Sequence, residues 1–551
     1  MLRIKNKLEI WSFVTLFLAI ILAVFLIYPF ANILRESVVT PEGNFTLSNF
    51  SRFFGDPYYF NTIWNSTKVT LIVTLTSVLL ALPLSYFYTF YLIKGRKIIF
   101  IASLLCAMSA PFIGAYAWVM LMGRSGVVTL LFDKLLGFKI GNIYGFWGII
   151  LVQTLKFFPL VFIYMNGAFR NIDNSLMEAS ESMGCTGVSR FFRILLRLSM
   201  PTLLAAALMV FMRAFADFGT PLLIGEGYRT FTVEIYNQYM GEVGTDHSFA
   251  ATISIIAIIV TTLIFLAQKF AAKRFAFSMN MMNPVKKKTP KGISSVLMHL
   301  YSYILIGVAI LPQAYIIYLS FQNCTGSVFK EGYSFDNYII AMNKYLGESL
   351  KNSLMFGVIA MVAIIVLAIL ISYVVVRRQN AINNTIDVVS MLPYVVPGAV
   401  VGIALIISFN SKPISIVGTM WIMILALVMR RLPYTVRSAT ATLMQTPISL
   451  EEASISLGAS KLKTLTSVTV PLMTSGIVSG AILSWIAIIT ELSSGIILYN
   501  NRNITLTVGT YVQIVRGNYG VACAYAAVLT VLTVLSMILF LRVSKSEDVN
   551  I

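Results

Sequence analysis

The sequence predicts an all-α polytopic membrane protein of about twelve transmembrane helices, laid out as two parallel six-helix repeats with both termini cytoplasmic. Three observations carry this expectation: little charge, apolar stretches of membrane-crossing length, and self-similarity at one long offset. Of 551 residues, 58% are hydrophobic and 11% charged, whereas a soluble chain carries roughly 25% charged residues. That much apolar surface finds its solvent in a bilayer rather than in a single water-soluble core.

A helix needs about 20 apolar residues to cross the hydrocarbon, and lipid offers backbone polar groups no partner outside the helix itself. Such stretches fall near 11–33, 66–92, 99–122, 145–168, 201–223 and 248–270. Six more follow near 295–320, 350–376, 383–408, 415–437, 471–498 and 520–542. The first is read as a retained span. WSFVTLFLAIILAVFLIYPF is longer than a signal-peptide core and no A-x-A-like site follows it. Trp11 and Tyr28 suit its two interfaces.

Basic residues set the orientation. Most of the 41 Lys and Arg residues fall on alternate loops, with dense clusters at KGRK 94–97, KKK 286–288 and RR 377–378. By the positive-inside rule those loops and both termini face the cytoplasm. The formal charge of +19 is therefore a mark of orientation; nucleic-acid binding calls for a soluble basic face with aromatic platforms. The four cysteines form no CxxC pair, so neither a disulfide framework nor a zinc site is expected. His247 and His299 lie far apart in sequence and are read as polar loop or interfacial side chains. The 26 tyrosines are assigned to interfacial belts, and none is named as a metal ligand.

The halves share one plan. Glu178 and Glu452, Gly184 and Gly458, Pro159 and Pro433, and Asp217 and Glu491 are all separated by 274 residues. Further out, TVEIYNQ at 232–238 answers TVGTYVQ at 507–513, and Asn65-Ser66 answers Asn352-Ser353 at an offset of 287. Such register is the mark of duplication of a whole unit. Each unit has an even number of spans, so the copies are parallel. The expected division is 1–282 for the first repeat, 283–294 for a basic linker and 295–551 for the second repeat.

Two hydrophilic segments interrupt this plan, one at about 170–200 and one at about 443–470. EASESMGCTGVSRFF begins at Glu178 and EEASISLGASKLKTL at Glu451. Each reads as helix, glycine turn, then basic amphipathic helix, with Leu462, Leu465 and Val468 at helical spacing. An early Glu suits a helix N-terminus, and glycine permits a sharp turn and close approach of another backbone. One such segment is an ordinary loop between helices; two at matched positions point to a docking element.

The pattern E-A-A-x-x-x-G, nine residues, then I-x-L-P is the signature loop of binding-protein-dependent ABC importer permeases, and this chain resembles that family. The second copy supplies Glu452, Ala453, Ser454, Gly458 and Val468-Thr469-Val470-Pro471; the first supplies Glu178, Ala179, Ser180, Gly184 and Ile194. The first copy departs at its close, where Arg197 stands and the proline comes later, at Pro201. FMRAFADFGTPLLIG at 211–225 and ITELSSGIILY at 489–499 further resemble the fused, two-in-one permeases of ferric-iron importers. That branch also includes relatives for phosphonates, sugar phosphates, thiamine and polyamines.

The resemblance implies a coupling role for Glu178, Ala179, Gly184, Glu452, Ala453 and Gly458. It implies two copies of a cytoplasmic ABC ATPase as partners, ATP and Mg bound in those partners rather than here, and an extracytoplasmic substrate-binding protein. Ferric iron is the cargo it implies first, and a bacterial cytoplasmic (inner) membrane the location.

Charged residues inside spans are costly and usually face the bundle interior. Asp217 and Glu491 occupy equivalent places in the outer membrane half, with Lys156 and Arg430 also 274 residues apart. Two readings stand side by side. The acids line or gate a pathway for a cationic or metal-bearing cargo, or they are neutralised, Asp217 by Arg213 one turn earlier or both acids by Lys156 and Arg430 across helices. If the bases face the pathway instead, an anionic cargo such as an organophosphate is favoured.

Other classes find less support. The chain has no G-x-x-x-x-G-K-[ST], so ATP hydrolysis is assigned elsewhere, and no H-E-x-x-H or G-x-S-x-G that would suggest a membrane enzyme. A self-sufficient secondary transporter has no reason to duplicate a docking loop.

Overall fold

The computed structural model describes residues 10–543 apart from 41, 138–142, 242–245, 275–282 and 284–286. The expected linker at 283–294 thus lies partly outside the described residues. Helices dominate; a short antiparallel hairpin pairs Gln322–Thr325 with Val328–Tyr333.

Among the described residues ten helices are long and apolar enough to cross a membrane, or eleven if one bent pair counts as a span. The expectation of twelve is corrected at three places. The stretch 99–122 is two helices, Arg96–Met108 and Pro111–Met122, and the apolar run of membrane length continues to Leu135. The stretch 383–408 is Ala381–Val395 followed by Gly398–Phe409, bent by 112°. The stretch 415–437 lies in the helix Met420–Gln445, whose apolar run is interrupted by Arg430, Arg431 and Arg437.

Both breaks have one cause. Ala110 before Pro111 has ψ 127°, and Val396 before Pro397 has ψ 133°. A proline ring drives the preceding residue out of the helical region, so an apolar stretch of correct length still folds as two pieces.

Two compact units are present. One comprises 1–50, 235–256 and 320–551; the other comprises 51–234 and 257–319. They depart from the consecutive division at 282 and 295, because the opening helix of each half is held by side chains of the other half. In the first unit Trp11 packs on Tyr373 at 4.2 Å, Thr15 donates to Asn383 Oδ1 at 3.1 Å and Asn32 to Ser408 at 3.0 Å. In the second, Tyr301 Oη donates to the Leu80 carbonyl at 2.8 Å, Tyr303 Oη to the Lys94 carbonyl at 2.7 Å, and His299 Nε2 accepts from the Lys94 N–H at 3.1 Å. His299 thus joins two chain segments.

Within the unit that begins at residue 51, the helix Pro57–Phe90 inverts the soluble pattern. Ser66, Thr70, Ser77, Ser85 and Thr89 are buried while Leu71, Leu75 and Leu79 are exposed. Leucine outside is stable in lipid, and small polar residues inside let helices approach and hydrogen-bond across. Thr76 meets Thr154 at 2.7 Å and Thr89 donates to Asn166 Oδ1 at 3.0 Å, joining this helix to Phe146–Arg170.

In the other unit Met420–Gln445 packs on Val470–Ile489 through Gly476 and Gly480. A Cβ at Gly480 would lie 2.7 Å from Thr435 Cα, and one at Gly476 2.1 Å from Thr442 Oγ1. Gly480→Val should therefore force the helices apart at a cost of about 1–3 kcal/mol, lowering the unfolding midpoint of the detergent-solubilised protein. An unchanged midpoint would count against this close approach.

Candidate functional site

The two hydrophilic segments fold alike. In the first, the helix Asn174–Ser182 is capped by Asp173, whose side chain accepts from the Ser175 N–H at 2.8 Å. In the second, the helix is Ser449–Ser456. Each ends at its glycine, Gly184 at φ +71° and Gly458 at φ +89°, a left-handed conformation that costs other L-residues about 1–2 kcal/mol. Paired end bonds close both helices. Cys185 N–H donates to the Ser180 carbonyl at 2.8 Å and Gly184 N–H to Glu181 at 3.0 Å. Ala459 N–H donates to Ser454 at 3.1 Å and Gly458 N–H to Ile455 at 2.9 Å. This is a Schellman ending, which satisfies carbonyls that a helix end would otherwise orphan.

All six predicted coupling residues, Glu178, Ala179, Gly184, Glu452, Ala453 and Gly458, are exposed. Nothing lies within 4 Å of a Cβ built at either glycine. Sequence reasoning passed over the residues just before them: Met183 is 86% exposed and Leu457 89%. Each segment thus carries one large, almost fully exposed apolar side chain at the same point of its turn. The signal for them was present, since both precede a glycine that must take a positive φ.

The segments are held differently. Glu451 is buried, bound by Arg377 Nε at 2.8 Å, with Tyr373 Oη at 3.3 Å. In the first copy the exposed Glu181 meets Arg190 and Lys288, each at 3.3 Å. The Lys288 ammonium, with Arg190 beside it, keeps the Glu181 carboxyl below the usual carboxylate range. Beyond each turn the chain passes through a π-helical turn at the same register, Phe191–Leu195 and Leu465–Thr469, into Leu196–Phe215 and Val470–Ile489. The displaced proline of the first copy, Pro201, therefore leaves its exit unchanged.

The predicted pathway residues lie where those long helices stop. Asp217 follows the helix ending at Phe215, and Glu491 the helix ending at Ile489, so each acid sits in a helix break rather than within a continuous span. Lys156 Nζ is 3.5 Å from Asp217 Oδ1, and Gln153 Nε2 donates to Asp217 Oδ2 at 3.1 Å. Glu491 is bound by both Arg430 and Arg431, one on each carboxylate oxygen. Its Oε1 also accepts from the Ser494 N–H at 3.1 Å and Ser494 Oγ at 3.2 Å. Of the readings left open by the sequence, neutralisation across helices is realised at both acids; Arg431 was not singled out beforehand.

The duplication extends to polar side chains that tie the breaks. Thr232 Oγ1 donates to the Asp217 carbonyl at 3.0 Å and Thr507 Oγ1 to the Glu491 carbonyl at 2.7 Å. Ser66 Oγ accepts from the Phe231 N–H and Ser353 Oγ from the Leu506 N–H, both at 2.8 Å. Asn65 Nδ2 donates to the Arg229 carbonyl and Asn352 Nδ2 to the Arg502 carbonyl, both at 3.1 Å. The Asn-Ser pairs visible in the sequence are thus clamps for the segment that follows each break.

Two repeats of membrane-crossing helices with matching exposed polar segments define a polytopic helical membrane protein. The family described as "Binding-protein-dependent transport system inner membrane component" matches residues 69–277 and 364–546. The chain belongs to this family and is a multi-pass cytoplasmic-membrane permease subunit of an ABC importer, a transport subunit rather than an enzyme. Such subunits work with an ATPase and a substrate-binding protein.

Among its relatives, the ferric transport system permease protein FbpB of Actinobacillus pleuropneumoniae is 30% identical over 548 residues, covering 96% of this chain and 79% of the relative. The Fe(3+)-transport system permease protein FbpB 2 of Haemophilus influenzae is 22% identical, with 84% and 86% covered. The spermidine/putrescine transport system permease protein PotB of Haemophilus influenzae is 28% identical over 36% of this chain and 73% of its own length.

Removing one partner of a buried ion pair costs about 3–5 kcal/mol, whereas replacing both by apolar groups is often neutral. Asp217→Asn should therefore lower the unfolding midpoint in detergent, and the double change Lys156→Met with Asp217→Leu should recover it. If the double variant is no more stable than the single one, the pair is not what holds this break.

Proposed function

We propose that this chain forms the translocation pathway of an importer for ferric iron delivered by an external binding protein. One ATPase subunit docks on each polar segment, two in all, and both termini lie in the cytoplasm with those segments. The observation that carries the cargo assignment is the 30% identity, over 96% of the chain, to a relative named a ferric transport system permease. The docking assignment is supported by the exposure of Met183 and Leu457 at equivalent glycine turns.

ATP and Mg belong to the partner subunits. Nucleotide shifts the permease between outward- and inward-open states, because the nucleotide-loaded partner binds one state better than the other. The long helices that leave the docking turns end at Asp217 and Glu491, so motion at the turns reaches the pathway along continuous helix. Asp217, Glu491, Lys156 and Arg430 are its proposed lining.

Labelled ferric iron uptake by cells carrying the intact importer tests both assignments, with Gly458→Asp as the uncoupled variant. The new side chain enters open space at a φ that Asp tolerates better than most residues, so folding should lose only about 1 kcal/mol. Uptake should be present in the wild type and absent in the variant, with the chain still in the membrane. No iron uptake by the wild type removes the ferric assignment, and undiminished uptake by the variant removes the docking one.

A second variant, Leu457→Glu, places a charge on the exposed apolar tip. It should reduce recovery of the ATPase with the purified permease while leaving the unfolding midpoint within about 0.5 kcal/mol of wild type, as for other surface changes. Full recovery of the ATPase would exclude the tip from the contact.

A further inference from the structure

Two basic clusters that are far apart in sequence, at 94–97 and 286–288, meet through the backbone. Lys288 pairs with Tyr91 in a parallel bridge: its N–H donates to the Phe90 carbonyl at 2.9 Å, and its carbonyl accepts from the Leu92 N–H at 3.0 Å. The end of the linker is thereby laid along the chain that leaves Pro57–Phe90. His299 and Tyr303, from the helix Gly292–Phe321, hold Lys94 by its N–H and its carbonyl. Arg96 is fixed over the Tyr88 ring, its guanidinium carbon 4.4 Å from the ring centre. All these residues belong to one compact unit.

Residues 91–98 and 287–293 together carry six bases, Lys94, Arg96, Lys97, Lys287, Lys288 and Lys291, and no acid. Backbone pairing sets the two segments side by side, and Lys288 also reaches Glu181 of the first polar segment. Lys94 and Lys291 are exposed and Arg96 is half-buried.

The neighbours of this platform fix its level. Pro57–Phe90 and Gly292–Phe321 are both of membrane-crossing length, and the platform stands at the end of one and the start of the other. Directly beyond the bases Ile98 is 71% exposed and Ile293 79%, followed by exposed Val296 and Leu297. Apolar side chains turned outward on such helices are stable in lipid, which puts the bases at the headgroups. Long basic side chains there rest their stems on apolar surface and extend their charge toward phosphate.

The corresponding connection of the second half is built otherwise. Arg377 is turned into the buried pair with Glu451, and Asn380 Oδ1 accepts from the Asn383 N–H at 2.7 Å. That turn is closed by side chains of its own, so the platform belongs to the first half.

We propose that the platform binds anionic phospholipid headgroups of the leaflet it faces, with Lys94, Arg96 and Lys291 on the phosphate. Bases beside a bilayer attract anionic lipid one by one; here the fold assembles them before any lipid arrives. Through Lys288 the bound lipid lies beside the attachment of the first polar segment.

The test uses full-length permease in detergent, equilibrated with equal amounts of phosphatidylglycerol and phosphatidylcholine of the same chain length. After repurification, the retained lipids are counted by native mass spectrometry. Wild type is compared with Arg96→Gln, Arg96→Lys and the double change Lys94→Gln with Lys291→Gln. Lys461→Gln with Lys463→Gln, on the second polar segment, is the charge-matched control. Wild type should retain phosphatidylglycerol in preference, less so as salt rises. The preference should fall about fivefold for each platform base removed, survive in Arg96→Lys and stay unchanged in the control.

Equal preference in wild type and the platform variants overturns the proposal. So does an equal loss in the control, because charge would then be acting without a site. Reduced recovery of the ATPase with platform variants whose lipid preference is intact would give this surface to a protein partner, and also overturns it.

Discussion

A helix that stops in the buried interior leaves N–H and carbonyl groups that need partners, and both halves of this protein meet that constraint with matching side chains. Thr232 and Thr507 cover the carbonyls of the acids at the breaks. Ser66 and Ser353 receive the N–H of Phe231 and Leu506 just beyond. Glu491 accepts the Ser494 N–H, just ahead of the next short helix. Only after these groups are satisfied can irregular chain persist at that depth, and irregular chain is what a pathway through a helical bundle needs.

The ion pairs follow from the same requirement. A carboxylate at a break is itself buried and must be neutralised, which Lys156 does for Asp217 and the two arginines do for Glu491. The basic partners come from Phe146–Arg170 and Met420–Gln445, so each pair also joins the helix that enters a polar segment to the helix that leaves it.

The two polar segments are alike in shape and unlike in attachment. Identical Schellman endings present Met183 and Leu457 outward. Behind them, Glu451 is locked to Arg377 in a buried pair, whereas Glu181 is tied to Lys288 by an exposed one. Exposed pairs contribute little and are screened by salt. The second segment is accordingly fastened to its bundle more firmly than the first, although their sequences align without a gap.

Much of this could be read in advance wherever a local rule was enough. Apolar length and scarce charge required membrane helices; the 274-residue register required a duplicated unit; and Glu-Ala-Ser with a glycine at fixed spacing required a helix that turns at Gly184 and Gly458. Span boundaries went astray at Ala110-Pro111 and Val396-Pro397, where the proline rule was legible but composition outweighed it.

What only the tertiary structure decided depends on partners distant in sequence. Trp11 packs on Tyr373 and Tyr301 bonds to Leu80, so the opening helix of each half joins a unit built mainly from the other. Arg431 joins Arg430 on Glu491, so two side chains of one helix meet the acid of a break 60 residues further along the chain. Periodicity and spacing report which residues share an element; which elements meet, and therefore which charges pair, is settled only when the helices pack.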